Sequence, residues 1–244
     1  MGNILRRICR FIRPLAYIIG RLMPIDDRKI VVSNFSGKGY GDNPKYIVEK
    51  LLKKNDALRI IWILRNIDDK ETLPTGMEYC LEKSFMAVYH LRTAKVWIDN
   101  CRKSYRFKRS NQFYLQTWHG FALKRIEKDV VGSLSKGYIR NAIRDSRHID
   151  LIVSCSRFMT QIYKNSFWYD GEILEIGAPR NDVIIKSNKY IKNKVIDFFD
   201  IAEEKGIVLY APTFRVDKSL EYYSLDYDQV KKACEQKSRR ILLY

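Results

Sequence analysis

KIVVSNFSGKGYGDNPKYIVEKLLKK, residues 29–54, decides the fold. KIVVSNF (29–35) is a short, nearly continuous apolar run, the pattern of a strand buried on both faces. SGKGYGDNP (36–44) follows with three glycines. NPKYIVEKLLKK (43–54) reads as a helix, with Asp42 or Asn43 as its cap and Pro44 at its first position. A strand that passes through a glycine-rich loop into a helix is the opening of an α/β unit.

The pattern repeats along the chain. RIIWIL (59–64) is a strand, SFMAVYHLRTA (84–94) a helix, and KVWID (95–99) and QFYLQTW (112–118) are strands. KGYIRNAIRDS (136–146) is helical, DLIVSC (150–155) a strand, SRFMTQIYKNSF (156–167) a helix and EILEIG (172–177) a strand. Short apolar strands alternating with helices predict a doubly wound, mostly parallel sheet over residues 28–180, a Rossmann-like domain. Residues 181–205 read as a helical connection. In 206–244, GIVLYAPTFR (206–215) and RRILLY (239–244) read as strands around a helix at 226–238. Independent domains need at least about 50 residues, so 206–244 reads as the start of a second domain, cut short.

The formal charge is +17 with an apolar content of 46%. Such a balance calls for an anionic partner: nucleic acid, anionic lipid or a phosphorylated substrate. No nucleic-acid motif accompanies the charge, so nucleic acid is not expected. The five cysteines are dispersed without a CxxC pair, against a disulfide framework or a zinc site. Walker, HExxH and Gly-x-Ser-x-Gly motifs are absent, and no acidic pair sits in a strand-end loop. Neither a metal nor a cofactor is therefore expected.

The first 24 residues carry five arginines and no acid. At about 100° per residue, Ile4, Ile8, Phe11, Leu15, Ile19 and Leu22 share one face. Arg6, Arg10, Arg13 and Arg21 cluster opposite. The pattern is that of a helix lying on an anionic membrane surface, and it also suits a helix packed on its own protein. Arginines interrupt every apolar stretch, against a spanning helix or a signal peptide. Arg6 occupies the position where myristoylation wants Ser or Thr.

Four strand-end loops can carry chemistry. Gly39, Gly41 and Asn43 lie where a helix start can cradle phosphate, or simply in a strand-to-helix turn. WHGFALKRIEKD (118–129) places His119, between Trp118 and Gly120, at a strand end. There it is a candidate for proton transfer or a structural histidine, and Lys124 and Arg125 can hold phosphate. In GAPRND (177–182), Asn181 or Asp182 can cap a helix while Arg180 stands where a phosphate can bind. APTFR (211–215) offers Thr213 and Arg215. CRKSYRFKR (101–109) is a basic run, either a contact for headgroups or anionic polymer, or a solvated loop.

Taken in order, GYGDNPKYI, TAKVWIDN, LQTWHGFALKRI, SCSRF, GAPRND and LYAPTFR resemble the CDP-glycerol glycerophosphotransferase family, which builds teichoic acids and related capsular polymers in bacteria. The likeness covers roughly residues 30–215. This chain has Phe-Ala where the family often reads Thr-Pro after WHG, and Ala178 where it often has Tyr.

The resemblance implies a GT-B-like fold: one complete Rossmann-like, acceptor-side domain and the start of a donor-binding one. It implies peripheral attachment to the cytoplasmic face of the bacterial inner membrane. It implies transfer of glycerol phosphate from CDP-glycerol, or a related CDP-alditol, to a lipid-linked acceptor, with release of CMP. His119 then matches the catalytic histidine of the family's amino-terminal half. A further histidine and a Ser-rich, acidic motif that hold the donor in the family find no match in these residues. The alternative reading is therefore a membrane-bound acceptor-binding module that lacks the donor half.

Overall fold

The computed structural model of the chain describes residues 18–103, 107–185, 189–201, 206–210, 226–236 and 239–243. Seven strands form one parallel sheet: β1 (Asp26–Ser33), β2 (Arg59–Leu64), β3 (Glu78–Leu81), β4 (Ala94–Asp99), β5 (Phe113–Gln116), β6 (Leu151–Ser154) and β7 (Glu172–Glu175). Their order across the sheet is β3-β2-β1-β4-β5-β6-β7. The crossovers carry α1 (Asp42–Lys54), α2 (Phe85–Thr93), α3 (Lys136–His148) and α4 (Arg157–Ser166).

Strand side chains alternate between faces, so each strand feeds two cores. Val31, Ile61, Ile63, Trp97, Tyr114 and Ile152 pack with Val88, Leu91 and Met159 on one side. Ile30, Val32, Ile60, Trp62, Leu64 and Ile98 pack with Val48 on the other. Helices α2, α3 and α4 start on serines, Ser84, Ser135 and Ser156, whose side chains accept from the backbone N–H three residues on. Such caps leave fewer unpaired donors at the helix start.

Two details differ from the sequence expectation. Strand β3 is an edge strand pairing with β2 at Trp62↔Tyr79 and Ile63↔Cys80. Only Cys80 of its four residues is buried, so no apolar alternation announces it. Helix α1 is capped by neither Asp42 nor Asn43. Gly41 occupies the cap position without a side-chain bond. Asp42 is in the left-handed region (φ 53°), and buried Asn43 turns its side chain to other loops.

Residues 18–22 are helical. Gly20 lies against Arg92, where a Cβ would approach the Arg92 Cβ to 2.6 Å. Arg109 Nη1 donates to the Met23 carbonyl at 2.8 Å. Ile18 and Leu22 are 60% and 80% exposed, and Arg21 is exposed as well. Arg6, Arg10 and Arg13 lie outside the described residues. Among the described residues, no helix is long and apolar enough to cross a membrane.

The first compact unit ends at Asp182, and a second runs over 183–244. The second contains α5 (Asp182–Ile185), whose first residue closes the first unit, and α6 (Lys189–Phe198). It continues with β8 (Gly206–Tyr210), α7 (Tyr227–Gln236) and β9 (Arg239–Leu243). Strands β8 and β9 pair in parallel, from Gly206↔Arg239 to Tyr210↔Leu243. A parallel pair needs a crossover, and α7 lies in it. Thr213 and Arg215 lie outside the described residues.

Candidate active site

In open parallel sheets a crevice forms beyond the carboxyl ends of the strands where strand order reverses. The chain here runs outward from β1 to β3, then returns to the other side of β1 as β4. The reversal falls between β1 and β4. Each of these strands is followed at once by a buried asparagine, Asn34 and Asn100. Asn100 Nδ2 donates to Asn34 Oδ1 at 2.9 Å, and the Phe35 N–H donates to Asn100 Oδ1 at 2.8 Å. Asn34 Nδ2 donates to the Lys38 carbonyl at 3.0 Å.

His119 enters this crevice from the loop after β5. Its Nδ1 is hydrogen-bonded to the main-chain carbonyl of Asn100. A carbonyl oxygen only accepts, so Nδ1 holds the proton and Nε2 carries the lone pair of the neutral ring. The imidazole stacks on Trp118, with ring centroids 4.5 Å apart, and meets Phe35 at 5.2 Å. Cys101 Sγ lies 3.6 Å from Nδ1. The half-buried ring thus has a fixed plane and a basic nitrogen.

The backbone around it is strained. Among the described residues, six non-glycine residues have positive φ; of these, Phe35 and Trp118 meet the His119 ring and Asp42 shares Arg180 with the His119 carbonyl. Such conformations cost on the order of 1–3 kcal/mol each and gather at functional sites. Trp118 is held at φ 51° with its N–H on Gln116 Oε1 at 2.9 Å.

Of the glycines expected to matter, Gly39 (φ 60°) shapes the turn and accepts the Trp62 indole N–H at 3.1 Å. Gly41 is the α1 cap. The position that sterically requires glycine is Gly37, where a Cβ would lie 2.6 Å from the Arg65 nitrogen.

Arg180 does more than stand at a helix start. Its Nη1 donates to Asp42 Oδ2 at 2.7 Å and to the His119 carbonyl at 3.0 Å. Its backbone N–H donates to Asn43 Oδ1 at 3.2 Å, and Asn43 Nδ2 donates to the Trp118 carbonyl at 3.2 Å. Arg180 and Asn43 therefore clasp three loops together, those after β1, β5 and β7. Beside the clasp is a cavity of about 210 Å³ lined by Asn43, Thr117, Gly120, Phe121, Tyr163, Arg180 and Asn181, among others. His119 is not among its lining residues, but its neighbour Gly120 is. Asp182 and Lys124 are exposed and do not line it.

The basic run 101–109 is neither a headgroup contact nor a solvated loop at its described positions. Arg102 pairs with Glu127 at 3.0 Å and with Asp145 at 3.4 Å, all with side chains at most 8% exposed. Its guanidinium also lies 4.8 Å from the Phe167 ring and 5.7 Å from the Trp118 ring. Buried Lys103 pairs with Asp99 and donates to Ser33 Oγ at 2.9 Å. Lys108 pairs with Asp150 at 2.8 Å. The run itself hid this, because it holds no acid: Asp99 precedes it, and Glu127, Asp145 and Asp150 come from distant positions. Burial pushes the Asp145 carboxyl up to about 7, against the opposing pull of Arg102. One guanidinium serves two carboxylates here, which fits a proton retained on Asp145. His90, by contrast, is buried in α2 and held neutral, its pKa lowered to about 4 chiefly by burial.

Asn34, Asn100 and Gly37 were not singled out by the sequence. The signal was present as an asparagine in the first position after two apolar strands, SNF and DNC. Among the described residues, no group of His, Cys, Asp and Glu could hold a metal ion.

Residues 15–244 match the family described as CDP-Glycerol:Poly(glycerophosphate) glycerophosphotransferase. The chain belongs to that family. A teichoic acid poly(glycerol phosphate) polymerase of Staphylococcus epidermidis is 35% identical over 203 residues, which is 80% of this chain and 28% of that polymerase. A teichoic acid glycerol-phosphate transferase of Staphylococcus aureus is 32% identical, over 82% of this chain and 53% of its own length. The solved wall teichoic acid polymerase TagF superposes with a TM-score of 0.86 at 32% identity, covering 99% of this chain and 62% of that one. A variant of TagF soaked with CDPG gives the same score. The chain thus spans between about a quarter and two thirds of the length of these relatives. WHG, GAPRND and GYGDNP meet at the Arg180 clasp, beyond the carboxyl ends of β5, β7 and β1.

Proposed function

We propose that the chain forms the acceptor-side part of an enzyme that transfers glycerol phosphate from CDP-glycerol to a membrane lipid-linked acceptor. The reaction belongs to teichoic acid or capsular polysaccharide synthesis and releases CMP. The observation that carries this reading is the His119 imidazole, fixed at Nδ1 and basic at Nε2, at the switch point of the sheet.

In this mechanism Nε2 takes the proton of the acceptor hydroxyl. The hydroxyl oxygen forms its bond to the β-phosphorus of CDP-glycerol as the bond to the CMP oxygen breaks in line. The imidazolium returns its proton to solvent. Drug-sized ligands need about 300–1,000 Å³, so the smaller cavity of about 210 Å³ beside Gly120 suits one polyol-phosphate unit of the acceptor. The second unit, with its βαβ piece, is the start of the donor-binding domain of a GT-B-like pair. Residues 1–24 attach the protein to the cytoplasmic face of the inner membrane. Exposed Ile18 and Leu22 favour that reading over a helix wholly packed on its own protein.

The test supplies labelled CDP-glycerol and membrane vesicles containing acceptor. Label incorporated into the vesicles supports the transferase. A second reading is a membrane-bound acceptor-binding module, since the cavity and His119 both belong to the first unit. Acceptor binding without incorporation would establish that reading instead.

A further inference from the structure

The transferase reading assigns His119 a task and leaves its orientation unexplained. Within the loop after β5, Trp118 sets the plane of the ring by stacking on it but gives Nδ1 no hydrogen bond. The nitrogen contact comes from another strand end, the Asn100 carbonyl after β4. That carbonyl is placed by a side chain rather than by a sheet ladder, since β4 ends at Asp99.

We infer that Asn34 and Asn100 are positioning residues that hold His119 as its Nδ1-protonated tautomer with Nε2 presented for proton transfer. Asn100 is fully buried, and its amide is spent on β1: Nδ2 on Asn34 Oδ1 and Oδ1 on the Phe35 N–H. Asn34 in turn anchors the glycine loop. Its carbonyl accepts from Gly37 and Lys38, each at 2.8 Å, and its Nδ2 reaches the Lys38 carbonyl. The same pairing places Phe35 against the imidazole. Two neighbouring strand ends are thereby locked side by side, and the carbonyl on one of them sets the tautomer. An amide is the side chain that can do this, because each asparagine must donate and accept at once.

The inference rests on the transferase reading for its purpose, but its test does not. Long-range proton–nitrogen NMR of ring-labelled protein reports which imidazole nitrogen is protonated. The chain has three histidines, and His119→Gln identifies the resonances of the third against His90 and His148. At a pH where the ring is neutral, His119 should show a protonated Nδ1 and a bare Nε2. In Asn34→Leu, which leaves Asn100 Nδ2 without its acceptor, His119 should become a mixture of tautomers while the His90 and His148 resonances stay in place. Asn34→Gln keeps both the acceptor and the donor of the amide and should return the Nδ1-protonated tautomer to the majority.

Transfer, where measured, should fall about 10²-fold in Asn34→Leu from misplacement of the base. A wild-type ring protonated at Nε2 would overturn the inference, whether or not any variant folds. So would a folded Asn34→Leu protein with an unchanged His119 spectrum. The expected tautomer in a protein that transfers nothing would uphold the positioning and sink the transferase.

Discussion

Residues 101–109 and 119–128 are both basic loops that follow strands of one sheet, yet they are opposite in kind. In the first, Arg102 and Lys103 are buried against Glu127, Asp145 and Asp99. In the second, Lys124 and Arg125 are exposed, beside Leu123 at 88% exposure. The difference lies in where the acids come from. Asp99, at the end of β4, stands four residues before Lys103, whereas Glu127 at the end of the second loop and Asp145 of α3 come from further along the chain. A charge run therefore has meaning only once its partners are known. Part of the large positive charge is internal structure, and only the remainder is open to a partner.

Breaking the buried loop should have the largest effect. Arg102→Met leaves Glu127 buried without its cation and takes a donor from Asp145, a loss of about 3–5 kcal/mol by the usual cost of breaking a buried pair. Urea unfolding measures it, and a loss below about 0.5 kcal/mol, the scatter of ordinary surface changes, would mean that the network is not structural. The same variant withdraws a cation from the Trp118 ring, which stacks on His119.

Asp145→Asn sharpens the comparison by pH. Burial raises the folded Asp145 pKa to about 7, from a usual value of 3.8. Between those values the folded state keeps the proton while the unfolded state has lost it. The contribution of Asp145 is thus full below about pH 4 and declines as pH rises toward 7. Asp145→Asn should remove that decline, so the wild type loses stability relative to the variant across this window. A difference between the two that stays flat with pH would place the carboxyl in its ionised form throughout.

The exposed loop should respond least in stability. Lys124→Ala combined with Arg125→Ala should change unfolding free energy by no more than about 0.5 kcal/mol per substitution. It should weaken retention on a polyglycerol phosphate matrix, with an effect that fades as salt is raised. Unchanged retention at low salt would assign the substrate-facing charge elsewhere.

Much of the fold was legible in the sequence, because parallel strands buried on two faces are plain apolar runs, as in RIIWIL. Strand β3 was not legible, since EYCL carries no β-branched residue, whereas β7, an edge strand equally exposed, shows Ile and Leu in EILEIG. His119 was legible as a strand-end histidine before glycine, and Asn43 and Arg180 as strand-end polar residues. Their joint role was hidden, because the clasp joins positions 137 residues apart. Asn34 and Asn100 were hidden for the same reason: side-chain pairing between two strand ends leaves no periodic trace. Lys124 was chosen on charge, and it lies outside the cavity that the motif builds.

The most direct measurement is CMP release from CDP-glycerol in the presence of acceptor vesicles, compared between the wild type and His119→Gln with folding checked by thermal unfolding. Loss of a general base predicts a fall of about 10²–10⁴-fold in rate with the unfolding transition retained. A folded His119→Gln protein that releases CMP at the wild-type rate would contradict the assignment of His119 as the base.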